Sequence, residues 1–533
     1  MTEKRPASHS GLDLPLELIA RVLQGRLAGA PARTVRRPAV DSRAVEPGDL
    51  FFALSGEARD GHEFLTAALE RGASGVVVQA GRPLPFFPGR GAGVIEVPDP
   101  LLALGALAAW HRDRFRGPVV GITGSLGKTT TRDLVAGVLG ARWHTLCSPG
   151  NWNTEIGVPL TLLARGSEHG AVVVEMAMRG PGQIRYLAEI ARPEVAVITT
   201  IGWSHHELLG SRDAIAAAKA EVLDYLPEDG CAVLPAVDDY AAFLRGRVPV
   251  GCRVWGVGCG VSGVGGVGAT PCGCPYGVWG EVVGIVGPER RDLPGAGWRT
   301  WFRVWEVMEG APHTPHPTLD TRYGTLPLLG EHNLRNGLAA IAVGRALGLE
   351  WPEILAGLAG AEISGMRSRI GPLQGGGLLV DDAYNASSPE AVLGALEVLH
   401  LLPGSRKLAV LADMLELGAA SEQAHRTVGA GVAARAPAAL VTIGERARGI
   451  AAEASAAGFP ADRIRVCATR DEGLAAVEAL RRPGDVVLVK GSRGMALEAL
   501  TAALRGEEER GVSGEESEMS AGTLASLPGE KRC

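Results

Sequence analysis

Aromatic residues are scarce in this chain, 5% of 533 residues against 74 glycines. That balance argues against an aromatic-rich sandwich and for α/β layers packed through small side chains. Cysteine is sparse too. Of eight, Cys147, Cys231, Cys467 and Cys533 stand alone, as reduced cytosolic thiols do, rather than in a disulfide framework. No run of roughly 18 apolar residues occurs, and the opening MTEKRPASHSG has no apolar leader core. Membrane spanning and secretion are therefore not expected, and a cytoplasmic location is. The net charge is −6 and no Lys/Arg stripe is present, which sets nucleic acid aside as a partner.

What the chain does have is β/α alternation at a length that suits about three domains. Residues 12–110 alternate short strands (VEPGDLFFAL, ASGVVV) with helices. Residues 111–361 carry the apolar strand PVVGIT, then AVVVEMA and EVAVITTIG. Residues 362–505 repeat the style with GLLVDD, KLAVLAD, AALVTIG and DVVLVKG between Ala-rich helices. Such alternation predicts mostly parallel, doubly wound sheets. The acidic stretch 506–533 reads as a disordered tail. Within the central part, 252–324 is Gly-rich and reads as a flexible surface insertion. Cys252, Cys259, Cys272 and Cys274 with His313 and His316 offer only one close pair, the wrong spacing for paired zinc knuckles.

PVVGIT runs into GITGSLGKTTT (121–131), which has the logic of a phosphate loop. Glycines let backbone N–H groups close around phosphate oxygens, Lys128 reaches the β- and γ-phosphates, and Thr129 opens a helix with its hydroxyl toward Mg²⁺. The strict pattern is not kept, because Ile122 stands six before the lysine, flanked by Gly121 and Gly124. Ligands of open α/β sheets sit at the carboxyl ends of strands. There AVVVE ends in Glu175 and VAVITTIG runs into Ser204 and His205, with His206 adjacent. Glu175 taken alone reads equally as a solvated strand end. Ser211 is placed to cap a helix running to Leu226, whose Ile215, Lys219, Val222 and Leu226 share one face. Lys219 either snorkels from that stripe to water or is a buried lysine with chemistry to do.

Several blocks, in order, resemble the Mur ligases of peptidoglycan synthesis: GITGSLGKTTT, NWNTEIGVPLTLL, VVVEMAMRGPGQI, SHHELLGSRDAIAAAKAE and GEHNLRNGLAA. DSRAVEPGDLFFALSGEARDGHEF, DDAYNASSPEA, LADMLELG and VLVKGSRGM support them. The resemblance spans about 12–505 apart from 252–324. It is nearest the branch that adds D-alanyl-D-alanine to UDP-N-acetylmuramoyl tripeptide. It implies a small UDP-binding α/β domain, a central P-loop domain with a doubly wound parallel sheet, and a C-terminal Rossmann-like domain. The implied cofactors are ATP and Mg²⁺, and a monomer is expected.

Residue by residue, the resemblance puts Ser42, Arg43, Asp60, Gly61 and His62 at the UDP moiety. Thr123, Gly124, Ser125, Gly127, Lys128, Thr129 and Thr130 would surround the ATP phosphates, with Asn333 and Asn336 at the adenine and Arg367 and Asp382 reaching over from the third domain. Thr129, Glu175, His205 and a carbamylated Lys219 would serve Mg²⁺, and Lys128, Lys219 and His205 carry catalysis. Lys490, Ser492 and Arg493 would meet the incoming dipeptide. Leu126, Trp203, His206, the LPAVDD stretch and Ala412 depart from the usual family residues. A DNPR-type box, which would mark the sibling ligase for a diamino acid, is missing: YNASSP and DMLELG stand there. A folylpolyglutamate synthase and a non-catalytic nucleotide switch are the other rivals.

Overall fold

The computed structural model describes residues 12–56, 59–83, 91–203, 206–259, 276–288, 297–307, 321–364, 369–383, 386 and 388–507. Three main sheets order the chain. The first holds β1 (Arg26–Ala28), β2 (Pro38–Ala39), β3 (Leu50–Phe52), β4 (Gly75–Gln79) and β5 (Gly93–Val97), in the order β1-β5-β4-β3-β2. All its pairings are parallel except β1 with β5.

The central sheet has nine strands. They are β6 (Val119–Thr123), β7 (Thr145–Cys147), β8 (Ala171–Glu175), β9 (Val195–Ile198), β10 (Cys231–Pro235), β11 (Arg253–Cys259), β12 (Tyr276–Val286), β13 (Arg299–Val307) and β14 (Arg322–Leu326). Their order is β14-β13-β12-β11-β10-β9-β6-β8-β7. From β7 to β12 the pairing is parallel, so both faces must be covered. One face packs on α1 (Lys128–Gly140) and α4 (Glu331–Ala346), through Leu134, Val138, Leu338 and Ile341. The other packs on the helix Pro100–Arg112, α2 (Gln183–Ala191) and α3 (Arg212–Ala220), in an apolar cluster that continues to Leu16, Ile19 and Phe52 of the first unit.

The stretch read as a surface insertion is corrected here, since its described parts are β11 to β14. β12, β13 and β14 run antiparallel and widen the sheet. Gly258 and Gly280 serve packing, not looseness. A Cβ on Gly258 would lie 2.3 Å from the Trp279 ring, and one on Gly280 would lie 2.9 Å from Leu338. Cys252 and Cys259 each lie against a backbone carbonyl, of Pro227 and Glu331. Cys272, Cys274, His313 and His316 lie outside the described residues.

The third sheet orders β15 (Arg369–Pro372), β16 (Gly377–Asp382), β17 (Lys407–Ala412), β18 (Ala439–Ile443), β19 (Ile464–Cys467) and β20 (Asp485–Lys490) as β15-β16-β20-β17-β18-β19. Only β15 is antiparallel. The four strands expected from sequence are its centre. Its first helix, α5 (Pro389–Leu401), is capped by Ser388, whose side chain accepts from the Ala391 amide.

Candidate active site

The phosphate loop leaves the buried β6 and enters α1, and its shape is fixed by contacts far away in sequence. Gly124 has φ 145°, and a Cβ there would lie 1.9 Å from Thr199 Oγ1, so no other residue fits. Ser125 donates its amide to Thr200 O at 2.9 Å and accepts from the Gly202 amide at 2.9 Å. The Thr199 hydroxyl donates to Leu126 O. The loop is thereby stitched to the end of β9. Below it, Gly127 (φ 77°) leaves no room beside Asn336 Oδ1, which also accepts from Thr131 Oγ1 at 3.2 Å.

Lys128 arches back over the loop and donates to Gly124 O at 2.9 Å and Ser125 O at 3.3 Å. Thr129 is half-buried in the first turn of α1, and Thr130 is buried behind it. At the root, the buried Thr123 Oγ1 has no hydrogen-bond partner among the described residues. A glycine-lined cradle, a lysine arching over it and a hydroxyl at the helix start fit a nucleotide phosphate with a hard cation.

Lys219 does not snorkel. The Ser211 side chain accepts from the Ala214 amide and starts α3, which gives way to a tighter turn at Glu221–Tyr225 and ends by Leu226. Lys219 is 1% exposed, and its Nζ donates to Gly124 O at 3.0 Å. Burial drives its pKa well below the usual lysine value, and the Lys128 charge pushes the same way.

Glu175 is no solvated strand end, which corrects that alternative. It is 2% exposed; Oε1 accepts from Asn153 Nδ2 at 2.8 Å, Oε2 lies 3.5 Å from Arg132 Nη1, and its amide donates to Ser148 Oγ at 3.2 Å. Nothing near Glu175 in sequence announces these partners. Arg132 and Asp133 were missed for that reason, although a charged pair inside the first turns of a packed helix was a signal.

The third unit closes on this edge. A Cβ on Gly202 would lie 4.0 Å from Glu390 Oε2, and the Glu331 amide donates to Glu397 at 2.8 Å. Asn333, also buried, donates to Leu329 O and to His332 Nε2. Lys490 pairs with Asp382 at 2.7 Å across adjacent strands, and Ser492 Oγ donates to Ala386 O and accepts from the Leu415 amide. Arg493 is exposed in the next turn. His205 and Arg367 lie outside the described residues.

The remaining group sits in the first unit. Asp60 accepts from the His62 amide and meets its ring at 2.7 Å, and Arg82 also pairs with it. Burial opposes its charge, but the bonds from His62 and Arg82 win and hold Asp60 at about 2. Arg82 was not foreseen. Ser42 is buried, and the exposed Arg43 pairs with Asp41 at 2.9 Å.

Fold and loop together define a three-unit P-loop protein built to hold a nucleotide. Family models match along the chain: "Mur ligase family, catalytic domain" over 38–112, "Mur ligase middle domain" over 122–262, and "Mur ligase, glutamate ligase domain" over 368–493. The UDP-N-acetylmuramoyl-tripeptide–D-alanyl-D-alanine ligase of Bacillus subtilis is 34% identical over 487 residues, 90% of this chain and 96% of that protein. The Escherichia coli enzyme of the same name is 32% identical over 500 residues, 93% and 99%. MurF from Acinetobacter baumannii superposes with a TM-score of 0.76 at 29% identity, covering 92% of this chain and 99% of that one. MurF from Thermotoga maritima in complex with ADP gives 0.69 at 27%, covering 89% and 98%. The chain belongs to the Mur ligase family.

Proposed function

We propose that this enzyme uses ATP and Mg²⁺ in the cytoplasm to join D-alanyl-D-alanine to UDP-N-acetylmuramoyl tripeptide. The observation that carries the reading is the convergence of the glycine cradle, Lys128, Glu175 and the buried Lys219 on one sheet edge that the third unit overhangs. The names of the full-length relatives point the same way. The terminal carboxylate of the tripeptide attacks the γ-phosphorus, a C–O–P bond forms and ADP leaves. The dipeptide amine then adds to the acyl carbon, loses a proton, and expels phosphate as the C–N bond forms. Mg²⁺, when bound, neutralises charge on the phosphate oxygens.

The chain's own groups do the rest. Loop amides and Lys128 hold and polarise the transferring phosphate. Thr129, Glu175 and His205 would serve as metal ligands. The burial that lowers the Lys219 pKa favours the neutral amine, which would add to CO₂ and release a proton, and the resulting carbamate would be a hard oxygen ligand. Asp60, His62 and Arg82 would hold the UDP-substrate, while Lys490, Ser492 and Arg493 would meet the dipeptide and Asp382 the nucleotide.

The test is amine-dependent ADP release. With UDP-muramoyl tripeptide present, D-alanyl-D-alanine should drive it, and single amino acids or glutamate should not. Release driven by a diamino acid or glutamate would instead assign a sibling ligase or a folylpolyglutamate synthase.

A further inference from the structure

Arg132 is the largest fully buried side chain among the described residues, and no role assigned so far uses it. Its guanidinium is engaged on every side. Nε and Nη2 reach Asp133 Oδ1 at 2.9 and 2.7 Å, Nη1 reaches Gly150 O at 2.6 Å and Glu175 Oε2 at 3.5 Å, and Nη2 also reaches Ser364 Oγ at 2.6 Å. Asp133 completes the ring, since its Oδ2 accepts from the Ser364 amide at 2.8 Å and from the Ser364 hydroxyl at 2.7 Å.

These partners come from three places. Arg132 and Asp133 lie one turn into the helix that the phosphate loop opens. Glu175 is the carboxylate at the end of β8. Ser364 belongs to the connector between the helix Trp351–Ala359 and β15, where the third unit begins. Asn153 grips Glu175 from the other side and touches neither Arg132 nor Ser364 in the bonds described. A planar, always-charged fork has little rotational freedom when all its edges are occupied, and with burial this deep water does not take over a lost bond.

We propose that Arg132 and Asp133 form a positioning dyad that couples the orientation of Glu175 to the seating of the connector at Ser364. Metal–nucleotide binding and the placement of the third unit are then linked through one buried ion pair. The proposal rests on the ligase reading of the site. It assigns no contact with substrate to either residue; both act through Glu175 and Ser364.

The test uses the full chain, with Mg²⁺ and ADP as probes and binding rather than turnover as readout. Ser364→Ala does not touch Glu175, yet it should raise the Mg²⁺ concentration that half-maximally tightens ADP binding by about threefold or more. In an Arg132→Met background the same change should add nothing, because the link is already cut. In the parent, Mg²⁺ with ADP should slow hydrogen exchange at the Ser364 amide, and Asn153→Ala should weaken that protection. If Arg132→Met does not fold, the Ser364→Ala and Asn153→Ala arms still decide. A Mg²⁺ midpoint unchanged in Ser364→Ala, or Ser364 exchange indifferent to Mg²⁺–ADP in the parent, reduces the dyad to a structural staple and overturns the proposal. A parent that binds no ADP sinks the ligase reading and the proposal together.

Discussion

Two lysines are equally hidden in this protein and serve opposite ends. Lys490 is 3% exposed at the end of β20, opposite Asp382 on the neighbouring strand and 2.7 Å from its carboxylate. Lys219 is 1% exposed on α3, where it meets the Gly124 carbonyl and faces Lys128. Among the described residues no carboxylate lies within ion-pair distance of it. Depth is the same, so the neighbour decides: Lys490 has a carboxylate to pair with, whereas a carbonyl and a second cation favour the uncharged amine at Lys219. One lysine is held in an ion pair at a strand end, and the other is available for reaction.

The comparison can be broken most sharply at Lys219. Lys219→Met should stay folded while turnover falls on the order of a thousandfold, the loss of an oxygen ligand at the reacting phosphate. Formate or acetate should restore part of it, and an alkylamine should not. Rescue by the amine alone would mean that Lys219 acts as an ammonium. A loss under roughly tenfold would remove it from the chemistry.

Lys490→Met should act on stability as well as on turnover. It removes the buried ion pair to Asp382, at a cost of about 3 kcal/mol in denaturant unfolding. Lys490→Met with Asp382→Asn should lose less than the single change, because both ends of the pair are then neutral. Equal losses would show that the pair is not what the burial sustains.

The most gradual effect is in pH. Because the Lys219 pKa is lowered on folding, the unfolded chain binds more protons between that lowered value and the ordinary lysine range. Stability relative to Lys219→Met should therefore rise with pH, by at most ~1.4 kcal/mol per unit, up to about pH 10. Unfolding of both proteins in bicarbonate-free buffer from neutral to alkaline pH measures the difference. A flat difference would mean that Lys219 folds as an ammonium.

Legibility followed sequence distance. The phosphate loop is written in a single stretch and could be read directly, whereas helical periodicity put Lys219 on an apolar face and left open whether it snorkels or stays buried. Glu175 could be placed at a strand end but not recognised as buried, because Arg132 and Asn153 reach it from 43 and 22 residues away. Asn333 and Asn336 were foreseen as nucleotide contacts. Asn336 in fact lies under Gly127 and against Thr131, and Asn333 is bonded to Leu329 and His332, none of which the GEHNLRN stretch reveals. The described parts of 252–324 misled for a different reason: glycine content signals looseness only when nothing fills the space, and at Gly258 and Gly280 Trp279 and Leu338 do.

The stitching of the phosphate loop to Asn336, and of the helix behind it to Ser364, sets a schedule for synthesis. Thr131 and Asn336 are 205 residues apart, and Arg132 and Ser364 are 232 apart. At translation speeds of roughly 5–20 residues per second, β6 and the loop leave the ribosome about 10–50 s before the residues that brace them. During that interval the glycine loop has its strand but not its floor. A nascent chain halted before residue 330 should hold a β-sheet and no nucleotide, and the capacity to bind ADP should arrive late, with α4 and the connector.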